Sequence, residues 1–129
     1  MCPGRHTWNT EALERIAAAE ELDIAPRRGD GSLREPPTVR VVRDGDELYV
    51  RSWHGTRGTW WKTARTSNAG HITAGAEEAD VTFTPESDPV VNDRVDAAYR
   101  AEYGHYSGYV EPMIAEQARA TTLRVGPQC

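Results

Sequence analysis

The order of apolar and polar positions divides the chain into short elements. Glu11 to about Glu21 sets Leu13, Ile16 and Ala17 on one helical face, with Asn9 or Thr10 placed to cap the first turn. Leu22 and Ile24 extend that packing into the following turn. Pro26-Arg27-Arg28-Gly29-Asp30-Gly31 is a turn signal, and Glu35-Pro36-Pro37 forces an extended approach to the next segment. Thr38 to Arg43 is β-branched and nearly alternating, Asp44-Gly45-Asp46 predicts a hairpin, and Glu47 to Ser52 is the partner strand. A period of two puts Leu48 and Val50 on one face of that strand and Tyr49 with Arg51 on the other.

Thr59 to Asn68 is predicted as a helix ended by Gly70, with Thr56 or Thr59 as its cap. His71 to Ala74 and Ala79 to Thr84 form two strands around Gly75-Ala76-Glu77-Glu78, with Val81 and Phe83 sharing a face. Ser87 or Asp88 caps a helix that has Pro89 in its first turn and runs to about Tyr103. Its Val91, Val95, Ala98, Tyr99 and Glu102 make an apolar stripe with polar edges. Pro112 interrupts Val110 to Ala115, and Gln117 to Leu123 reads equally as short helix or strand. Thr121 to Val125 is the better closing strand. The order is helix, hairpin, helix, hairpin, helix and a late strand, an α+β pattern. Antiparallel strands in this number either close into a small barrel or carry helices on one sheet face.

The 129 residues suit one domain spanning residues 1–129. A formal charge of -5 without a basic block argues against a nucleic-acid binder, whose affinity runs on clustered Lys and Arg. Cys2 and Cys129 stand at opposite ends and read as free thiols that pair only if the termini meet. No apolar run reaches membrane-spanning length, and the first residues lack the hydrophobic stretch of an export signal. A soluble cytoplasmic protein is the expectation.

The chemistry is densest from Leu48 to Lys62, which holds three of the four Trp, two Arg, a His and a Lys. Arg51, Ser52, His54, Gly55 and Thr56 make a polar, glycine-flexed loop able to turn amides and charge toward an anion. The next helix adds its positive end, and Lys62 faces back toward it. Trp60 and Trp61 are adjacent and cannot share a helical face, so one packs into the core and the other lines a groove or interface. Arg27 and Arg28, on their own, read as a solvated pair. Tyr99 and Tyr103 are four apart on one helical face, with Tyr106 and Tyr109 beyond them. They wall an aromatic pocket or serve as core packing. The four His form no metal-ligand pattern, and no nucleophile elbow, Walker loop or dinucleotide fingerprint occurs.

Ile24-Ala25-Pro26-Arg27-Arg28, Thr38-Val39-Arg40-Val41-Val42, Leu48-Tyr49-Val50-Arg51-Ser52, Gly55, Trp60-Trp61-Lys62 and Ala97 to Gly104 together resemble a family of small bacterial proteins of unassigned function. That family is in turn similar to the flavin-binding split β-barrels, which include pyridoxamine-phosphate oxidases and deazaflavin-dependent nitroreductases. The resemblance implies a small antiparallel split β-barrel with flanking helices, a homodimer, and a cofactor and small-molecule substrate near the subunit boundary. It assigns cofactor binding to Arg51, Ser52, Gly55, Trp60 and Lys62, with Arg28 as a contributor. This loop departs from the pattern by carrying the bulky Trp53 and His54.

Residues and resemblance together predict a flavin (FMN)- or deazaflavin-dependent oxidoreductase acting on a small organic molecule. Arg51, Ser52 and the loop through Thr56 hold the phosphate, and Trp60 or Trp61 flanks the ring. His54, Tyr103 and Tyr106 are the candidate proton donors. Two other readings use the same residues: a cofactor-free isomerase or cyclase working on an aromatic metabolite, and a non-catalytic small-molecule binding protein.

Overall fold

A computed structural model describes residues 8–33, 37–53, 55–75, 77–104, 108 and 110–127. Helix α1 (Thr10–Ala19) starts where the Asn9 side chain accepts from the Ala12 amide, as its cap signal predicts. Glu20, at φ 63, then turns the chain directly into strand β1 (Glu21–Pro26). The turn expected at Leu22 and Ile24 is thereby corrected. Glu21-Leu22-Asp23-Ile24 is too short and too rich in helix formers to read as a strand alone. Pairing on both sides makes it one, with Leu22 opposite Val39 and Ile24 opposite Ile72.

Strands β2 (Thr38–Asp44) and β3 (Glu47–Val50) form the expected hairpin. Gly45 takes the first loop position at φ 62, a conformation that favours glycine. A 3₁₀ turn at Gly55–Arg57 leads into helix α2 (Thr59–Ser67). Gly58, not Thr56 or Thr59, is the cap, and it supplies no side-chain cap bond. Strands β4 (Ala69–Ala74) and β5 (Glu77–Pro85) make the second hairpin. Helix α3 (Pro89–Tyr103) begins as predicted, with the Asp88 side chain accepting from the Val90 amide. The ambiguous segment becomes two short helices, α4 (Val110–Ile114) and α5 (Glu116–Arg119). Strand β6 (Leu123–Pro127) closes the sheet two residues later than predicted.

The strands close into a barrel in the order β1-β2-β3-β6-β5-β4, every neighbouring pair antiparallel. Closure removes the unpaired edges that an open sheet of these strands exposes. The interior is built from alternate residues, among them Leu22, Ile24, Val41, Leu48, Val50, Ile72, Val81, Phe83 and Val125, and it is plugged by Leu13 and Ile16 of α1 and Trp60, Trp61 and Ala64 of α2. Burying each large apolar side chain contributes about 1.5–3 kcal/mol. A Cβ on Gly70 would lie 2.6 Å from the Ala25 carbonyl oxygen and 2.8 Å from the Phe83 ring, so β4 approaches its neighbours only as glycine allows.

A second core lies outside the barrel wall. Val42 and Tyr49 face outward and pack with Val95, Tyr99 and Tyr103 of α3 and with Met113 of α4. The predicted face split of β3 therefore holds: Leu48 and Val50 point inward and Tyr49 outward. Among the described residues, no helix is long and apolar enough to cross a membrane. Cys2 and Cys129, with their conditional pairing, lie outside the described residues.

Candidate functional site

The loop after β3 begins with Arg51, which is only 1 % exposed. Its Nε donates to Thr122 Oγ1 at 2.9 Å, Nη1 to Asp96 Oδ1 at 2.5 Å and the Met113 carbonyl at 2.9 Å, and Nη2 to the Asn92 carbonyl at 3.2 Å and Asn92 Oδ1 at 3.0 Å. A guanidinium has five N–H donors, and all five are engaged. The group also lies 5.6 Å from the centre of the Tyr99 ring. Asp96 bonds in addition to Arg119, which reaches Asp93 as well. Those hydrogen bonds, Asp96 first and Asp93 next, raise the Arg119 pKa above its ordinary value. The bonds of Arg51 engage every N–H of the group expected to hold a cofactor phosphate, although Arg51 also lines the cleft beside Trp60. It ties the end of β3 to α3, α4 and the start of β6.

Ser52 is equally buried. Its amide donates to Thr121 Oγ1 at 2.9 Å and its carbonyl accepts from the Gly55 amide at 3.0 Å. Its Oγ is a buried side-chain oxygen with no hydrogen-bond partner. A Cβ added to Gly58 would come within 2.3 Å of that oxygen, so Ser52 sits beneath the start of α2 and lines none of the three clefts around it. The hydroxyl expected to meet a cofactor is thus placed inside the fold.

The two adjacent tryptophans part as predicted in direction, though both are largely buried. Trp61 donates Nε1–H to the Thr121 carbonyl at 3.0 Å and is covered by Arg65, 5.4 Å from its ring centre. It belongs to the core and lines none of the clefts. Trp60 lines a cleft of about 310 Å³ together with Glu21, Pro37, Thr38, Val39, Arg40, Arg51 and Trp53. Among the described residues its indole N–H has no protein acceptor, consistent with a wall residue that meets a ligand.

Lys62 and Arg28 come together although 34 residues separate them in sequence. With Arg27, Gly29, Thr63, Thr66 and Ser67 they line a cleft of about 440 Å³ between the end of β1 and the outer face of α2. Arg27 is partly occupied: Nη1 donates to the Gly31 carbonyl at 2.8 Å and Nη2 lies 3.9 Å from Asp80. Arg28 and Lys62 make no ion pair among the described residues. The nearby Asp30 is held by the Ser32 hydroxyl and amide, which with the charge of Arg28 lower its pKa. Three cations, two of them without an ion pair among the described residues, therefore line this cleft and can meet an anion. Sequence names Arg28 and Lys62 separately, but the closeness of β1 and α2 comes from the barrel.

Gly55 and Thr56 belong to neither of these places. They line a third cleft, of about 580 Å³, with Trp53, Arg57 and Gln117. Tyr103 is fully buried, and its hydroxyl lies 2.5 Å from the Val41 carbonyl and 2.8 Å from that of Glu20, donating between them. Tyr99 donates to the Arg40 carbonyl at 3.3 Å. The structure thus places Tyr103, a predicted proton donor, inside the second core with its hydroxyl on the backbone. His54 and Tyr106 lie outside the described residues. His71 is bracketed by Glu78 at 3.2 Å and Asp80 at 3.0 Å and lines none of these clefts. No group of His, Cys, Asp and Glu among the described residues can hold a metal ion. The segment that reads in sequence as one site therefore serves two cores and three clefts.

Solved structures share this architecture at low identity. HutZ, the heme storage protein from Vibrio cholerae, is 14% identical, with 92% of this chain and 89% of that one covered and a TM-score of 0.70. A protein from Bacteroides thetaiotaomicron provisionally described as a 5-nitroimidazole antibiotic resistance protein is 13% identical, with 94% and 81% covered and a TM-score of 0.65. A provisional pyridoxamine 5'-phosphate oxidase from Listeria innocua is 13% identical, with 92% and 90% covered and a TM-score of 0.62. Likeness at this identity establishes the fold, the split β-barrel anticipated from the sequence, and nothing about ligand. Among curated proteins none matches the sequence. Residues 12–125 match the family model described as uncharacterized protein conserved in bacteria (DUF2255).

Proposed function

This chain belongs to the DUF2255 family of proteins conserved in bacteria, and we propose that it binds a phosphate-bearing ring cofactor of the flavin or deazaflavin type and acts as an oxidoreductase on a small organic molecule. The observation that carries the reading is the cleft where Arg27, Arg28 and Lys62 converge, with two of the three cations unpaired among the described residues. That donor set fits a phosphate, which needs more than one positive group for its charge. Arg28 and Lys62 would hold the phosphate and Trp60 would flank the ring. The cofactor, when bound, supplies hydride transfer. The chain's part is to fix the anion, to orient the ring and to keep water from it. A cytoplasmic homodimer accompanies the reading, its dimerisation checked by light scattering of the purified protein.

Small-molecule binding without catalysis is the second reading. Arg51 and Tyr103 are spent on the fold, and the carboxylate in the described clefts, Glu21, lies 3.8 Å from Arg40. Among the described residues few groups are then left for acid–base work, and a cofactor-free isomerase or cyclase would draw on His54 and Tyr106, which lie outside them.

Titration with FMN, a deazaflavin cofactor, pyridoxal phosphate and hemin separates these readings. Micromolar binding of FMN or the deazaflavin, weakened about tenfold by Arg28→Gln and by Lys62→Gln, is expected, since each removes a charge-assisted bond worth about 1.5–3 kcal/mol. Binding of hemin alone, or flavin binding indifferent to both substitutions, overturns the assignment. Bound flavin that no reductant or small acceptor can turn over supports the second reading.

A further inference from the structure

We propose that His71 and Asp80, on the outer wall of the barrel, form a pH-sensitive control on the anion cleft of Arg27, Arg28 and Lys62, weakening anion binding as pH rises. The control rests on the reading of that cleft as a phosphate site. Strand register sets its parts in place. His71 of β4 lies between Ala25 of β1 and Asp80 of β5, and in the next row Thr73 lies between Asp23 and Glu78. Alternation turns these residues outward, since Gly70, Ile72 and Ala74 are the buried positions of β4. Arg27 continues the line of β1, its amide donating to the Ala69 carbonyl at 2.8 Å, and its guanidinium reaches toward the Asp80 carboxylate.

The device turns on one carboxylate oxygen. Asp80 Oδ1 lies 3.0 Å from His71 Nδ1 and 3.9 Å from Arg27 Nη2, so two basic side chains contend for it. The other ring nitrogen, Nε2, lies 3.2 Å from Glu78 Oε1. Carboxylates against both ring nitrogens suit imidazolium, because a neutral ring has a single N–H to offer. In that form His71 holds Asp80, and Arg27 Nη2 stops beyond hydrogen-bond distance of it. Arg27 Nη1 is tied to the Gly31 carbonyl at 2.8 Å, which keeps the guanidinium lining the cleft, where Nη2 can meet an anion.

Imidazole is the side chain whose charge ordinarily changes between about pH 5 and 8. Once the ring is neutral, the charge of Asp80 is left to Arg27, which closes the 3.9 Å gap and turns from the cleft. Anion affinity is therefore full while the ring is protonated and falls as pH rises through its titration. The other charges around the pair are Asp23, which accepts from the Thr38 hydroxyl at 2.7 Å, Asp30, held by Ser32, and Arg28 and Lys62 in the cleft. None of these bonds to His71 among the described residues. Asp80 and Arg27 are open to water, so the step has the size of one surface ion pair, about three- to fivefold in affinity.

Inorganic sulfate is the probe, because its charge is constant over this range whereas a phosphate monoester titrates within it. Sulfate affinity at constant ionic strength, followed by NMR at Arg28 and Lys62, should be about three- to fivefold weaker at about pH 8.5 than at about pH 5.5. Its midpoint should match the titration of the His71 ring and the movement of the Arg27 side-chain signal. His71→Gln should give the weak value at both ends of the range, and Asp80→Asn the strong value at both. Glu78→Gln removes an equal charge from the same face without touching Arg27 and should keep the pH dependence. Unchanged melting temperatures show that these surface variants fold. No detectable sulfate binding, pH dependence that survives Asp80→Asn, or an Arg27 signal indifferent to the His71 titration overturns the proposal. A parallel FMN titration keeps the control apart from the cofactor reading. FMN binding that needs Arg28 and Lys62, with sulfate affinity independent of pH, sinks the control alone. Sulfate affinity that follows His71 without any FMN binding sinks the cofactor reading alone.

Discussion

Replacing Arg51 by Met tests whether that residue holds a ligand or the fold. The substitution keeps much of the side-chain length and removes five hydrogen bonds at once, to Thr122, Asp96, Met113 and Asn92. Breaking a buried ion pair by removing one member costs about 3–5 kcal/mol, most of it the stranded partner. Asp96 keeps Arg119, itself partly exposed, which lowers that part of the cost. The carbonyls of Met113 and Asn92 lose their charged donor in a place with little water, which adds about 1 kcal/mol or more each. Arg51→Met is thus expected to lower the unfolding free energy by about 3–5 kcal/mol. For a chain of this length that corresponds to a melting temperature lower by about 10–20 °C. Urea unfolding followed by circular dichroism measures it, with a lower midpoint at an unchanged slope. Arg119→Gln, at the more exposed end of the network, should cost less. A loss below about 1 kcal/mol together with a flavin affinity reduced about tenfold would return Arg51 to the ligand and refute its structural role.

Single contacts carry the remaining expectations. Ser52→Ala removes a buried hydroxyl without a partner and should leave stability unchanged or slightly raised, as urea unfolding will show. Gly58→Ala should destabilise by about 1–3 kcal/mol, because its new Cβ meets Ser52 Oγ, and the double variant with Ser52→Ala should recover part of the loss. Trp61→Phe leaves the Thr121 carbonyl without its indole donor and should cost about 1–3 kcal/mol by the same measurement. Burial, opposed by a backbone hydrogen bond at Arg43 and assisted by the charge of Glu20, raises the Glu102 carboxyl pKa. The folded chain then holds that proton more tightly than the unfolded chain. Stability from this group is present below the ordinary glutamate value and is lost as pH rises through the raised one. Glu102→Gln should therefore gain stability relative to the parent at neutral pH and lose that advantage in acid, seen as converging urea midpoints.

Elements with a strong local signal were legible in the sequence. Asn9 and Asp88 cap their helices, Gly45 turns its hairpin, and the period of two in β3 assigns Leu48 and Tyr49 to opposite faces. Where a strand rests on partners distant in sequence, that signal fails. Leu22 and Ile24 become strand only because β2 and β4 lie on either side. Thr121 and Thr122 look like the start of a closing strand, but their hydroxyls serve Ser52, Arg51 and the last turn of α5. Pairing therefore begins at Leu123.

The candidate site divides along the same line. Sequence alone determined that charge and aromatic surface concentrate between Arg51 and Lys62, because residue type and spacing carry that information. It could not say which way each side chain points from an irregular loop, since no period governs a segment of turns. Tertiary structure made those decisions. Closure of the barrel turned Arg51 and Ser52 inward, where α3, α4 and the approach to β6 surround them, and set α2 against the end of β1. Arg28 and Lys62 thereby share a cleft that neither sequence neighbourhood announces. Arg57 and Trp53 were left at the surface over α5.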